Sequence, residues 1–186
     1  MFGPLLRRGH PVSAHSAVAR PFVGRYLPDL VFGANDGIIT TLAVVSGVVG
    51  ASLSTKVILI LGFANLLADG VSMGASNVLS RRSASDGEAM PSLREASRHG
   101  LATIVGFVTA GFVPLLAYLL PGFGGDRFVM AAGLALATLF LVGASRSLFI
   151  RRPWHLAGLE MLLIGAAAGA LAYLIGMMGA MLTGDP

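Results

Sequence analysis

Three acidic side chains lie within otherwise apolar stretches of this sequence. Asp36, Asp69 and Glu160 stand among residues such as Ile, Leu, Val and Ala, whereas the other acidic residues lie in polar segments or beside an apolar stretch. A carboxylate at the centre of a membrane helix costs at least about 2.5 to 3.5 kcal/mol on insertion scales. Each of the three therefore requires a functional or structural explanation.

A polar stripe accompanies the second of these carboxylates. Met73 follows Asp69 by four residues, and Ser72, Ser76 and Ser80 lie within about 60° of Asp69 on a helical wheel. A thioether beside carboxylate oxygens favours Fe²⁺, Mn²⁺, Co²⁺ or Zn²⁺ over Mg²⁺ and Ca²⁺. Because burial favours the protonated carboxyl group and a bound cation favours the ionised one, a metal ion and a proton compete for such a site. That competition is the minimum mechanism of a metal/proton antiporter.

Each candidate also has a purely structural interpretation. Asp36, between Asn and Gly, could cap the N-terminus of a helix that begins just after it. Met73 could simply fill space in the core. Glu160 could pair with the basic residues that precede it. Asp69 has neither a cap nor an interface to explain it, so it most strongly indicates a functional or interhelical polar role.

The composition places these residues in a membrane protein. The chain has 186 residues, of which 55% are hydrophobic and 12% charged, and its mean hydropathy is +0.79. So few charges cannot cover a water-soluble domain, and disorder is excluded by the same composition. Continuous apolar runs of about 20 residues predict membrane-spanning helices rather than a β-barrel. We expect an all-α protein with five transmembrane helices, at residues 30–53, 57–80, 100–120, 128–149 and 156–182.

The basic residues predict the orientation. The N-terminal tail holds four, residues 81–99 hold four and residues 146–152 hold three, whereas the alternate connections hold only Lys56 and Arg127. This asymmetry predicts a cytoplasmic N-terminus and a C-terminus on the opposite side. The same asymmetry explains the basic pI, so the basic residues give no support for binding to nucleic acid. Residues 1–28 are expected to form a disordered cytoplasmic tail, and residues 81–99 a short cytoplasmic loop.

Several further expectations concern single residues. Pro114 should interrupt the third span, and the glycines of the last span should form a packing face. Small or polar residues along the first span, from Asp36 to Ser54, should likewise face protein. Motifs for hydrolases, phosphate loops and dinucleotide cofactors are absent, so we expect neither a catalytic residue nor a cofactor. The histidines are expected to face solvent or lipid headgroups: His10, His15, His99 and His155.

Three runs of the sequence resemble the vacuolar iron transporter family. They are DLVFGANDGIITTLAVVSGVVGA at residues 29–51, ADGVSMGASNVLS at residues 68–80 and WHLAGLEMLLIGAAAGALAYLIG at residues 154–176. The resemblance implies a five-span homodimer that moves Fe²⁺, and often Mn²⁺, out of the cytosol in exchange for protons. It also implies that Asp36 and Met73 lie on the metal path and that Glu160 opens the last span.

The sequence departs from that family in three places. Where the family has a Gly-Glu-Tyr-Val-Ser run, this chain has Ser-Asn-Val-Leu-Ser, so that Asn77 retains an oxygen ligand without the charge. Asp69 stands where many members have a small residue. The glutamate-rich metal-binding domain between spans two and three is replaced by the short segment 81–99.

The sequence therefore predicts a transporter that exports Fe²⁺ or Mn²⁺ against protons. Asp36 and Asp69 are the expected proton-exchanging ligands and Met73 the soft ligand, with Asn77 and Glu160 as contacts at the cytoplasmic entrance. Two alternatives remain open: a non-transporting dimeric membrane module and a proton-coupled carrier of another solute. The high Arg, Ala and Gly content favours a bacterial plasma membrane over a vacuolar one.

Overall fold

The computed structural model describes residues 22–84, 90–121 and 125–184, and all their regular secondary structure is helical. Five helical segments are long and apolar enough to cross a membrane, which confirms the predicted all-α, five-span class. The third span is interrupted, and a short 3₁₀ turn, Arg146–Leu148, follows the fourth. The α-helices are α1 (Phe22–Gly50), α2 (Thr55–Ser83), α3 (Leu93–Gly111), α4 (Leu116–Leu119), α5 (Arg127–Ser145) and α6 (Trp154–Thr183).

The helices extend beyond the predicted spans at one end of the bundle. Helix α1 begins at Phe22 rather than at residue 30, so residues 22–28 of the predicted disordered tail are helical, while residues 1–21 lie outside the described part. Helix α2 continues to Ser83, and α3 begins at Leu93, capped by the Ser92 hydroxyl, which accepts a hydrogen bond from the Glu95 backbone N–H. Hydropathy marks the hydrocarbon-facing part of a helix, whereas backbone hydrogen bonding and caps carry the helix on into polar sequence.

Helix α1 is the centre of the bundle, with contacts to α2, α3, α5 and α6. At two positions its backbone packs directly against the backbone of a neighbouring helix. A Cβ at Gly37 would collide with the carbonyl oxygen of Phe107 on α3, and one at Gly50 would collide with that of Tyr173 on α6. Small residues allow such close packing in membranes. The prediction that the small-residue face of the first span meets protein is confirmed at Gly50.

Four of the five glycines of α6 lie on the predicted packing face; Gly179 does not, because a Cβ there would meet nothing within 4 Å. Gly158, Gly165 and Gly169 are buried. A Cβ at Gly165 would collide with Leu139 of α5, and one at Gly169 would press on Leu42 of α1. The opposite side of α6 is covered by nothing in the described chain.

The third span is interrupted where Pro114 predicts it. A 3₁₀ turn, Val113–Leu115, separates α3 from α4. Pro114 lacks the N–H that a continuous helix would use, and the tighter turn accommodates this loss. Leu115 and Phe107 are fully buried beside this break and pack against α2. They hold α3 against one face of α2, which leaves another face of α2 directed toward α1.

Candidate functional site

A cleft of about 600 Å³ lies between α1 and α2. It contains four of the five predicted site residues, Asp36 from α1 and Asp69, Met73 and Asn77 from α2. Glu160 on α6 is not among them. The remaining lining residues are Phe32, Ser72, Ser76, Ser80 and Arg81. The polar stripe predicted on the second span therefore faces the carboxylate of the first.

Asp36 and Asp69 occupy equivalent positions in the two helices. Each has 14 residues on either side within a helix of 29 residues. With a first span that begins at residue 30, Asp36 would lie six residues, or about 9 Å, inside it, and Asp69 would lie deeper in the second span. Both instead lie at mid-helix, because α1 begins earlier than predicted. The alternative that Asp36 caps a helix is wrong. It lies in the helix interior, where its backbone carbonyl accepts a hydrogen bond from the Thr40 hydroxyl at 2.9 Å.

The carboxylates of Asp36 and Asp69 have no partner among the residues that the structure describes. In the chain as described, no hydrogen bond or ion pair involves the side-chain oxygens of Asp36 or Asp69, and their negative charges interact with each other. Asp36 is half-buried, and Asp69 is exposed along the open side of the cleft. Met73, half-buried, packs its side chain against the core next to them. The middle of the cleft thus presents two unneutralised carboxylates and one thioether.

The end of the cleft near the start of α1 is different, because its charges are paired. The Asp29 cluster consists of Asp29, Asn77, Arg81, His99 and Thr103, from α1, α2 and α3. One carboxylate oxygen of Asp29 accepts from Asn77 Nδ2 at 2.9 Å and from Arg81 Nη2 at 2.8 Å. The other contacts Arg81 Nη2 at 3.0 Å and His99 Nδ1 at 2.6 Å. Asn77 Nδ2 also donates to Thr103 Oγ1 at 2.8 Å, and its Oδ1 accepts from Arg81 Nε at 2.9 Å.

This arrangement corrects the expectation for His99. The sequence predicted a solvent-facing or headgroup-facing ring, but the side chain is only 8% exposed, bonds to Asp29 and packs on the Tyr26 ring at a centroid distance of 4.7 Å. His99 lies inside α3, which begins six residues earlier, so it is enclosed by the bundle. His155 is exposed beside Trp154, as expected. His10 and His15 lie outside the described residues.

The cluster also changes the interpretation of Asn77. Its side-chain oxygen, predicted as a metal ligand, already accepts a hydrogen bond from Arg81, and its amide group serves Asp29 and Thr103. Sequence reasoning missed Asp29, Arg81 and Thr103. Two spacings signal the first two: Arg81 follows Asn77 by four residues, and Asp29 precedes Asp36 by seven, which places each pair on one helix face.

Glu160 lies apart from the cleft, near the start of α6. One of its carboxylate oxygens is 3.7 Å from Arg146 Nη1 and 3.9 Å from Arg152 Nη1, and its side chain is 44% exposed. These distances exceed hydrogen-bond length, so the pairs are weak surface ion pairs. The contacts favour the ion-pair interpretation, and the proposed role of Glu160 in metal binding stays a prediction.

The cleft offers an incomplete set of metal ligands. Across residues 22–84, 90–121 and 125–184, no group of three or more His, Asp or Glu side chains could hold a metal ion, and the chain has no cysteine. Asp36, Asp69 and Met73 can supply oxygen and sulfur, whereas divalent transition metals take four to six ligands. An ion in this cleft would complete its shell with water or with groups from a second chain.

Comparison with known proteins identifies the family. The VIT family model matches residues 27–98 and 88–177, and the chain belongs to that family. The "Vacuolar iron transporter" of Plasmodium berghei is 24% identical over 230 aligned positions, covering 86% of this chain and 84% of the relative. The "Vacuolar iron transporter 1" of Arabidopsis thaliana is 21% identical over 211 positions, covering 81% and 84%.

A shorter match is more similar in sequence. The "Vacuolar iron transporter" of Toxoplasma gondii is 46% identical over 61 residues, which cover 33% of this chain and 20% of that relative. The predicted resemblance is thereby confirmed, as is the prediction of a transporter family rather than an enzyme family. With its five spans, the chain is an integral membrane protein.

Proposed function

We propose that this protein carries Fe²⁺, Mn²⁺ or both across a membrane in exchange for protons, with the ion bound in the α1–α2 cleft. The observation that supports it is the pair of unpartnered mid-helix carboxylates, Asp36 and Asp69, in one cleft with the thioether of Met73. The names of the relatives, all vacuolar iron transporters, support iron as the cargo.

The charges of the cleft account for the coupling. Two carboxylates that interact across the cleft repel each other, and either two protons or one dication neutralises them. A dication and protons therefore bind in place of one another, and each form of the site is electrically neutral. Met73 adds a soft ligand, which favours Fe²⁺ and Mn²⁺ over Ca²⁺ and Mg²⁺.

The other predicted residues take secondary parts in this proposal. Asn77 contacts the ion only after Arg81 releases its oxygen. Glu160 is a contact at the cytoplasmic entrance, outside the cleft. In this proposal the N-terminus lies in the cytoplasm, as the basic segments predict, and the ion leaves the cytosol across a bacterial plasma membrane or, alternatively, a vacuolar membrane.

We further propose a homodimer in which a second copy covers the open side of the cleft. Only 28% of the apolar window of α2 is buried in this chain, against 56% for α1, although α2 carries the polar stripe. Its exposed large apolar residues include Leu67 and Val71, which flank Asp69 in sequence. A second copy on this face would shelter Asp69 from lipid and could complete the ligand set.

The test is metal flux in reconstituted vesicles under an imposed pH gradient. Wild-type protein should give Mn²⁺ and Fe²⁺ flux that depends on the gradient, and Asp36→Ala should reduce it to the level of empty vesicles. Asp126→Asn is the matched control, because Asp126 caps α5 outside the cleft and asparagine caps equally well. Equal flux in wild type and Asp36→Ala would contradict the proposal.

A second candidate is a non-transporting membrane module. It is favoured by the Asp29 cluster, which ties three helices together at one end of the cleft as a structural element would. Such a module predicts intact dimers whose thermal unfolding is unchanged by Mn²⁺. A rise in unfolding temperature with Mn²⁺ would exclude it.

A further inference from the structure

Arg81 is a cation in a cleft proposed to bind cations. It lines the same cleft as Asp36 and Asp69. Along α2 it lies twelve residues beyond Asp69, or about 18 Å at 1.5 Å per residue. Arg81 therefore stands at the end of the cleft, at the level where α1 and α3 begin.

The guanidinium is held at this end by a buried anchor. Asp29 is 7% exposed and receives both the Arg81 contacts and the His99 ring, whereas the Arg81 side chain is 39% exposed. Asn77 fixes the guanidinium orientation through Arg81 Nε. The anchor belongs to the packed bundle, and the arm that reaches it is long, flexible and partly in solvent.

The ion pair presents its positive end to the cleft. Arg81 lines the cleft and Asp29 does not, so an ion approaching from this end meets the guanidinium before the carboxylate. The positive end of an ion pair repels a dication and attracts an anion at short range, although the pair as a whole is neutral. The carboxylates that would attract the dication lie farther along the same helix.

We propose that Arg81 determines access to the cleft and its charge selectivity at this end: held by Asp29 and Asn77, it excludes cations until it is released. This inference rests on the proposed function, because it assigns a gate to the same site. It concerns which charge can reach the cleft, a property that is measured without transport.

The absence of cysteine from the chain provides the experiment. Single cysteines are introduced at Ser76, five residues from Arg81, and at Ser72, nine residues away; both serines line the cleft. Each is labelled in detergent, without metal, by a cationic trimethylammonium methanethiosulfonate and by an anionic sulfonate analogue. The measured quantity is the ratio of the cationic to the anionic labelling rate.

Arg81→Gln should raise that ratio at the Ser76→Cys position by about five- to tenfold, the effect of removing one charge within roughly 8 Å of a partly hydrated site. The rise at the Ser72→Cys position should be smaller. Arg81→Lys, which keeps the charge, should stay near wild type. Arg82→Gln is the matched control, since it removes the neighbouring positive charge from the same helix end and Arg82 is not among the residues that line the cleft. An unchanged ratio in Arg81→Gln, or the same rise in Arg82→Gln, overturns the proposal.

A second measurement keeps Arg81 in the chain, so its result does not depend on whether Arg81→Gln folds. Raising the ionic strength screens charges. The ratio at Ser76→Cys should rise with salt because a repulsion is screened, and at Ser72→Cys it should fall because the attraction of the aspartates is screened. A fall at Ser76→Cys overturns the proposal. If the labelling results hold and vesicles show no metal flux, the gate stands and the proposed transport fails.

Discussion

The middle of the α1–α2 cleft and the Asp29 cluster at its end differ in how negative charge is paired. At one end, Asp29 is buried and receives hydrogen bonds from Asn77, Arg81 and His99. At mid-helix, the carboxylates of Asp36 and Asp69 have no partner in the described chain. One stripe of α2, with residues at four-residue intervals, contributes to both: Asp69 and Met73 lie in the middle of the cleft, and Asn77 and Arg81 belong to the Asp29 cluster.

This difference separates a structural carboxylate from one that is free to act. A buried charge with a full set of partners is costly to change, because its removal leaves the partners uncompensated. A charge without partners does not stabilise the fold and is available to a proton or a metal ion. Substitutions in the Asp29 cluster should therefore change the stability of the protein, whereas substitutions of Asp36 or Asp69 should change metal binding.

The largest effect on stability is expected for Asp29→Asn. This change removes the anion that neutralises Arg81 and disrupts contacts among three helices, so we expect a loss of about 3 kcal/mol, toward the lower limit for buried pairs because Arg81 reaches water. Thermal unfolding in detergent measures it. Asp36→Asn, which removes no hydrogen bond and relieves the repulsion by Asp69, should not destabilise the protein. If both variants lost a similar amount of unfolding free energy, Asp29 and Asp36 would not differ in their structural roles.

Metal binding should show the reverse pattern. At a Mn²⁺ concentration 100 times Kd, wild-type protein should gain about 2.7 kcal/mol against unfolding. Asp36→Asn and Asp69→Asn should each lose most of this gain, and Asp126→Asn should keep it. A full Mn²⁺ shift in Asp36→Asn would show that the metal binds elsewhere.

Met73→Leu tests the soft ligand with little change of volume. Without the sulfur, Co²⁺ binding should weaken about fivefold, or roughly 1 kcal/mol, while the weaker Mg²⁺ binding stays the same. Competition of the two ions in the same thermal assay measures the change. Met178→Leu, at an exposed position of α6, is the control. Parallel losses for both metals would indicate a packing defect.

The smallest effect is expected for Glu160→Gln. Its arginine partners are 3.7 and 3.9 Å away at a partly exposed site, so stability should change by less than about 0.5 kcal/mol. The Mn²⁺ shift should be unchanged in detergent-solubilised protein. A lost Mn²⁺ shift would instead place Glu160 in the binding site, as a ligand brought to the cleft by a second copy.

The mid-helix part of the site could be predicted from the sequence, and the Asp29 cluster could not. Asp36, Asp69 and Met73 stand out because polar residues in apolar runs need an explanation and the four-residue spacing on α2 fixes a common face. Asp29 flanks the first predicted span, so its position in the sequence does not call for a functional explanation. Its partners Arg81 and His99 are 52 and 70 residues away in sequence, so only the packing of three helices brings them together.

The same distinction holds for the fold. Five apolar runs predict five helices, and Pro114 predicts the break in the third. Helix ends were misplaced because polar caps and interfacial turns, such as Ser92 before α3, extend a helix past the point where hydropathy falls. The central position of α1 follows from backbone contacts at Gly37 and Gly50 with other helices, and spacing within one helix does not identify its neighbours.

Simultaneous recording of Mn²⁺ movement and internal pH in the same proteoliposomes tests the central claim, that the Asp36 and Asp69 carboxylates exchange protons for a dication. We predict that protons move opposite to Mn²⁺, and that both movements stop together in Asp36→Asn while Asp126→Asn retains both. Mn²⁺ movement without a proton counterflow, or coupled movement that persists in Asp36→Asn, would contradict the account.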